Sequence, residues 1–92
     1  MWHDEIDCLR DAAWVAFKDV FEVNPPNPRM EKMFEDLWDD PEIEALISAC
    51  VLQCEEVEGE EWDRIVDKYS AKVNEVMSRL AEKRRANDSK RV

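Results

Sequence analysis

Residues able to do chemistry are few in this chain. His3 is its only histidine, and Asp7, four residues on in a helix, could hold it as a proton-transfer pair. A place in the first turn gives that imidazole solvent rather than a nucleophile, so a Ser-His-Asp or Cys-His relay has nothing to act through. Cys50 and Cys54 stand one helical turn apart and, with Cys8, could offer three thiolates to a metal. Both share a face with Ile43 and Ile47, which reads as burial, and the CxxC pairs of structural zinc sites are absent. A single glycine excludes a phosphate-cradling loop.

Carboxylate pairs are the remaining candidates. Asp39 with Glu42 and Glu60 with Asp63 have the spacing by which all-helical nucleotide pyrophosphohydrolases hold magnesium. If residues 41–57 form one helix, its ends lie about 25 Å apart and the two pairs cannot share a metal cluster within one chain. Chance matches to such spacings are also expected where acids are this common. The expectation is therefore a protein that is not an enzyme and needs no cofactor or metal, with a magnesium-dependent pyrophosphohydrolase as the outlying alternative.

The elements that position these residues are set by punctuation. Four prolines, at 25, 26, 28 and 41, and Gly59 divide 92 residues into four stretches, each with helical periodicity. The first spans 4–23, with Trp2, Ile6, Leu9, Ala13, Ala16, Phe17 and Val20 on one face. Asn27 before Pro28 is an N-cap with proline at the first helical position, opening a helix over 28–38 lined by Met30, Met33, Phe34, Leu37 and Trp38. Asp40-Pro41 repeats the device for a helix over 41–58 that ends against Gly59, with Ile43, Leu46, Ile47, Cys50, Cys54 and Val57 inward. The fourth, over 60–85, carries Trp62, Ile65, Val66, Tyr69, Val73, Val76, Met77 and Leu80 along one side. The fold class is all-α: one small bundle over 1–82, and a basic C-terminal tail over 83–92 expected to be mobile. No apolar run is long enough to cross a bilayer, the residues Met1 to Glu5 are acidic where a secretory signal is basic, and three cysteines suit a reducing compartment, so a cytoplasmic protein is expected.

Charge is the informative feature. Twenty-three acids face 13 bases, for a net charge of −10, which disfavours direct contact with nucleic acid or an anionic membrane. Between Lys32 and Arg64 there is no lysine or arginine, while twelve acids occur: Glu35, Asp36, Asp39, Asp40, Glu42, Glu44, Glu55, Glu56, Glu58, Glu60, Glu61 and Asp63. A base-free run of that length has a chance of roughly one in a hundred at this composition. Helix N-termini welcome the acids at 39–44 and 60–63, but Glu55, Glu56 and Glu58 crowd a C-terminal end, where negative charge is disfavoured. Carboxylates at both ends of one helix form an elongated edge able to imitate the phosphate rows of a duplex. The expected function is a stoichiometric inhibitor that lays this edge on the basic, nucleic-acid-binding surface of a partner protein. Small acidic proteins of phages and mobile elements act so on restriction or CRISPR nucleases; the likeness is one of size and charge only.

A competing expectation comes from the first helix. Trp14 and Phe21 widen its apolar stripe and Cys8 and Val15 lie nearly opposite, so the helix is either central in the bundle or covered by another chain. In the second case the protein is a helical subunit, adaptor or homodimer with Trp14 and Phe21 as its anchor. The tail counts five bases (Lys83, Arg84, Arg85, Lys90, Arg91) against Glu82 and Asp88. These complement the dipole of the fourth helix or serve a weak RNA-binding or localisation role.

Overall fold

In the computed structural model, which describes residues 4–22 and 28–89, the chain is an all-α bundle of four helices: α1 (Asp4–Phe21), α2 (Pro28–Trp38), α3 (Pro41–Cys54) and α4 (Glu60–Ser89). His3 and Trp2, the Asn27 cap and Lys90 and Arg91 lie outside the described residues.

Local chemistry explains most helix ends. Asp40 is in an extended conformation and its Oδ1 accepts from the Glu42 amide at 2.9 Å, an N-cap followed by proline. α1 stops at Phe21 rather than 23 because Glu22 turns left-handed, with φ 52°, before the Asn24-Pro25-Pro26 run. α3 ends at Cys54, short of the expected 58. Glu55 and Glu56 would add negative charge to the negative end of its dipole, and the chain turns there instead. Gly59, expected to close α3, opens α4: its φ is 67° and its carbonyl accepts the first helical bond, from the Asp63 amide at 3.0 Å. α4 continues past the expected 85 to Ser89. Residues 83–89 are thus helix rather than the start of a tail, and Arg85 Nη1 donates to the Val20 carbonyl at 3.0 Å, satisfying an open acceptor in the last turn of α1.

Cross-helix pairs fix the directions. Asn74 Nδ2 donates to the Ala12 carbonyl at 3.0 Å, and Arg85 reaches Val20, so numbers rise together and α1 and α4 run parallel. Gln53 Nε2 donates to Tyr69 Oη at 2.6 Å and Glu42 pairs with Arg79, so α3 runs antiparallel to both. The long α4, about 45 Å from end to end, nearly spans the 50 Å length of the molecule.

α1 and α4 form the central pair, each packed on the other and on α2 and α3. Most of the apolar stripe of α1 is buried within the bundle, while Val15, 49% exposed, and Cys8 on the far side stay at the surface. Leu9, Ala13, Ala16 and Phe17 are buried, and the two alanines let α4 come close. From α4, Val66, Tyr69, Val73, Met77 and Ala81 complete this seam, while α2 supplies Met33 and Phe34 and α3 supplies Ile43, Cys50 and Cys54. Phe34 is the hub of an aromatic cluster: its ring lies 5.0 Å from Trp14, 5.6 Å from Phe17 and 6.1 Å from Trp38. Trp14 and Phe21, the expected anchors for a partner, are half-buried; Trp14 stacks on Phe17 at 5.6 Å and the Phe21 ring lies tilted against it at 4.8 Å. Their area goes largely into the domain's own core.

Candidate interaction surface

The twelve expected site acids do not form one uniform edge. All are exposed except Asp40, which is half-buried in its capping role. In the first group, Glu35 pairs with Arg10 and Glu42 with Arg79, two neutralisations that come from helices distant in sequence and correct the expectation of carboxylates without counter-ions. Arg10 is held on a second side by π-faces, its guanidinium lying 5.2 Å from the Phe34 ring centre and 5.6 Å from that of Trp38. Arg79, which stands four residues after Glu75 in its own helix, crosses to α3. Asp36, Asp39 and Glu44 make no ion pair among the described residues.

The second group differs. Glu55, Glu56, Glu58, Glu60, Glu61 and Asp63 are all exposed and none makes an ion pair among the described residues. Topology enlarges this group. Because α1 and α4 run parallel and α3 antiparallel, the N-terminal ends of α1 and α4 and the C-terminal end of α3 meet at one end of the bundle. The exposed Asp4, Asp7 and Asp11 of α1 and Asp67 of α4 therefore join the six carboxylates of the α3–α4 connection at that end. The α1 acids and Asp67 act on Cys8, whose thiol is pushed above its ordinary value by burial, then by Asp11, Asp4, Asp7 and Asp67. Periodicity could not show this carboxylate pole, since it depends on which helices run parallel.

Glu5 is the one buried acid among the described residues, 6% exposed, and it lies near Cys50 and Cys54. The two thiols hydrogen-bond each other inside the core. Cys50 is fully buried, and burial, then the neighbouring Cys54, pushes its pKa up to about 12. Burial raises Cys54 as well. Thiols so placed stay protonated and are poor nucleophiles. Among the described residues no three His, Cys, Asp or Glu side chains gather as a metal site requires. Asp39–Glu42 and Glu60–Asp63 flank α3, about 21 Å long by its 14 residues. No helix among the described residues is long and apolar enough to cross a membrane.

Two surface depressions accompany these charges. One, of about 460 Å³, lies between α1 and α2 among Arg10, Trp14, Glu31 and Phe34. Lys18 Nζ lies 5.8 Å from the centre of the Trp14 ring, so both nearby aromatic surfaces carry resident cations. The other, of about 470 Å³, is a groove between α3 and α4.

Comparison with protein-family models, with curated proteins and with solved structures finds no match to this chain.

Proposed function

We propose that this protein acts by stoichiometric binding rather than catalysis, inhibiting a nucleic-acid-handling protein by occupying its basic, nucleic-acid-binding surface. One observation carries the reading: the carboxylates of the α3–α4 connection are exposed, lack ion pairs among the described residues and share an end of the bundle with the acids of the first α1 turns. Like charges crowded together oppose folding, so an arrangement that adds three of them at the C-terminal side of α3 has a cost that a cationic partner would offset. The partner contacts are Glu55, Glu56, Glu58, Glu60, Glu61 and Asp63, with Asp36, Asp39 and Glu44, which lie beyond or at the other end of α3, as a secondary set. Glu35, Asp40 and Glu42 serve the fold first, through their ion pairs and cap. Direct binding of nucleic acid or of an anionic membrane is disfavoured by the same field.

The test is capture of partners from the source cell at low salt, with elution by duplex DNA. Binding should weaken steeply as salt rises, because exposed charges are screened beyond about 10 Å at 0.1 M and about 3 Å at 1 M. Glu55→Lys, Glu56→Lys and Glu58→Lys together should abolish it in a protein that still folds. Capture that persists at high salt, or that nucleic acid does not compete, refutes the reading.

A further inference from the structure

α3 is apolar on more sides than the bundle covers. From Ala45 to Cys54 it carries no charge, in a chain with 39% charged residues. Ile43, Cys50 and Cys54 face the core, while Ala45, Ser48 and Leu52 are exposed and recur at i, i+3 and i+7 on the opposite side. Leu52 is 70% exposed, the most exposed large apolar side chain among the described residues. A lone surface leucine is ordinary. This one continues a stripe whose Ala45 lines the groove between α3 and α4, together with Leu46, Val76, Lys72, Glu75 and the paired Glu42 and Arg79.

Charges at the two ends of the stripe select its occupant. Glu44 stands at one end and Glu55 and Glu56 at the other, about 17 Å apart, all exposed and without ion pairs among the described residues. A second copy laid antiparallel on the stripe would set Glu44 against the other chain's Glu55 and Glu56, and a parallel one would align identical carboxylates. Either is repulsive across an apolar seam. A helix with cations at both ends of its own apolar stripe meets no such penalty.

We propose that the Leu52 face and the α3–α4 groove dock an amphipathic helix of another protein, one whose apolar stripe is bracketed by lysine or arginine. The docked helix adds a further pass to the bundle, with Leu52 as its central apolar contact. The site shares Glu44, Glu55 and Glu56 with the nucleic-acid-mimic reading but does not rest on it, since its apolar contact is made by Leu52 and the groove, and Glu58 to Asp63 take no part.

The experiment titrates the full chain with synthetic peptides of about sixteen residues, long enough to span the stripe as helix. One carries leucines at i, i+3, i+4, i+7 and i+11 with two lysines at each end; the other has the same composition scrambled so that no face is apolar. Calorimetry and circular dichroism should show one-to-one binding with gained helicity for the first, and about tenfold weaker binding for the second. Leu52→Glu should abolish binding and Leu52→Ala weaken it about fivefold or more, as expected for loss of a buried leucine contact. Both variants alter an exposed position, and thermal melting checks that they fold. Glu60→Lys with Glu61→Lys, which disables the carboxylate pole, should leave the affinity within about twofold. Equal binding of the scrambled peptide, or full binding to Leu52→Glu, overturns the proposal. So does a dimer of the free protein that Leu52→Glu dissolves, which would make a second copy the occupant.

Discussion

Raising the pH tests whether the thiol pair is sealed in the core. Cys50 titrates at about 12 in the folded chain against 9.0 for the unperturbed thiol. A group that holds its proton more tightly when folded stabilises the fold fully below the unfolded pKa, and that contribution fades as pH climbs from 9.0 towards 12. At about pH 10 the unfolded thiol is roughly nine-tenths ionised and the folded one hardly at all, so Cys50 alone removes about 1.4 kcal/mol relative to about pH 8. Cys54, raised in the same direction, adds to the loss. Urea unfolding under reducing conditions at the two pH values, for wild type and Cys50→Ala, isolates the effect, since lysine and tyrosine titrations are common to both. The variant should lose about 1.4 kcal/mol less than the wild type. Equal losses would mean that Cys50 meets solvent in the folded state, and the inert-thiol account would fail with it.

Charge reversal at Glu55, Glu56 and Glu58 should raise the melting temperature while it removes partner binding, because cations suit the C-terminal end of α3; a lower melting temperature would show that these acids support the fold. Glu22→Gly should stabilise by about 1 kcal/mol in chemical denaturation by relieving the left-handed φ of 52°. Asp40→Ala should cost about 1 kcal/mol through loss of the α3 cap, read the same way. Phe34→Ala should cost about 3–5 kcal/mol, since it empties the centre of the aromatic cluster, and near-ultraviolet circular dichroism should flatten with it.

Much of the fold was legible because it is written in short-range signals. Pro28, the Asp40-Pro41 pair and the apolar spacing of Val66, Tyr69, Val73 and Met77 set helices that the structure contains. Gly59 misled, since a glycine between two helices suits the end of one as well as the start of the next, and only the Asp63 amide decides. Ion pairs were the larger gap. Arg10 and Glu35 are 25 residues apart and Arg79 and Glu42 are 37 apart, distances at which periodicity carries no information. The same limit hid the gathering of α1 and α3–α4 acids at one end, and it made Trp14 look like spare apolar area when Phe34 covers it.

The parallel pairing of the first and last helices has a consequence for biosynthesis. Ala12 meets Asn74 and Val20 meets Arg85, partners separated by more than 60 residues, so the side of α1 that faces α4 has no lasting cover until nearly all of α4 has left the ribosome. During translation its greasy side, with Leu9 and Phe17 at the centre, is a natural target for chaperones, and the nascent chain should resist proteases only late in its emergence.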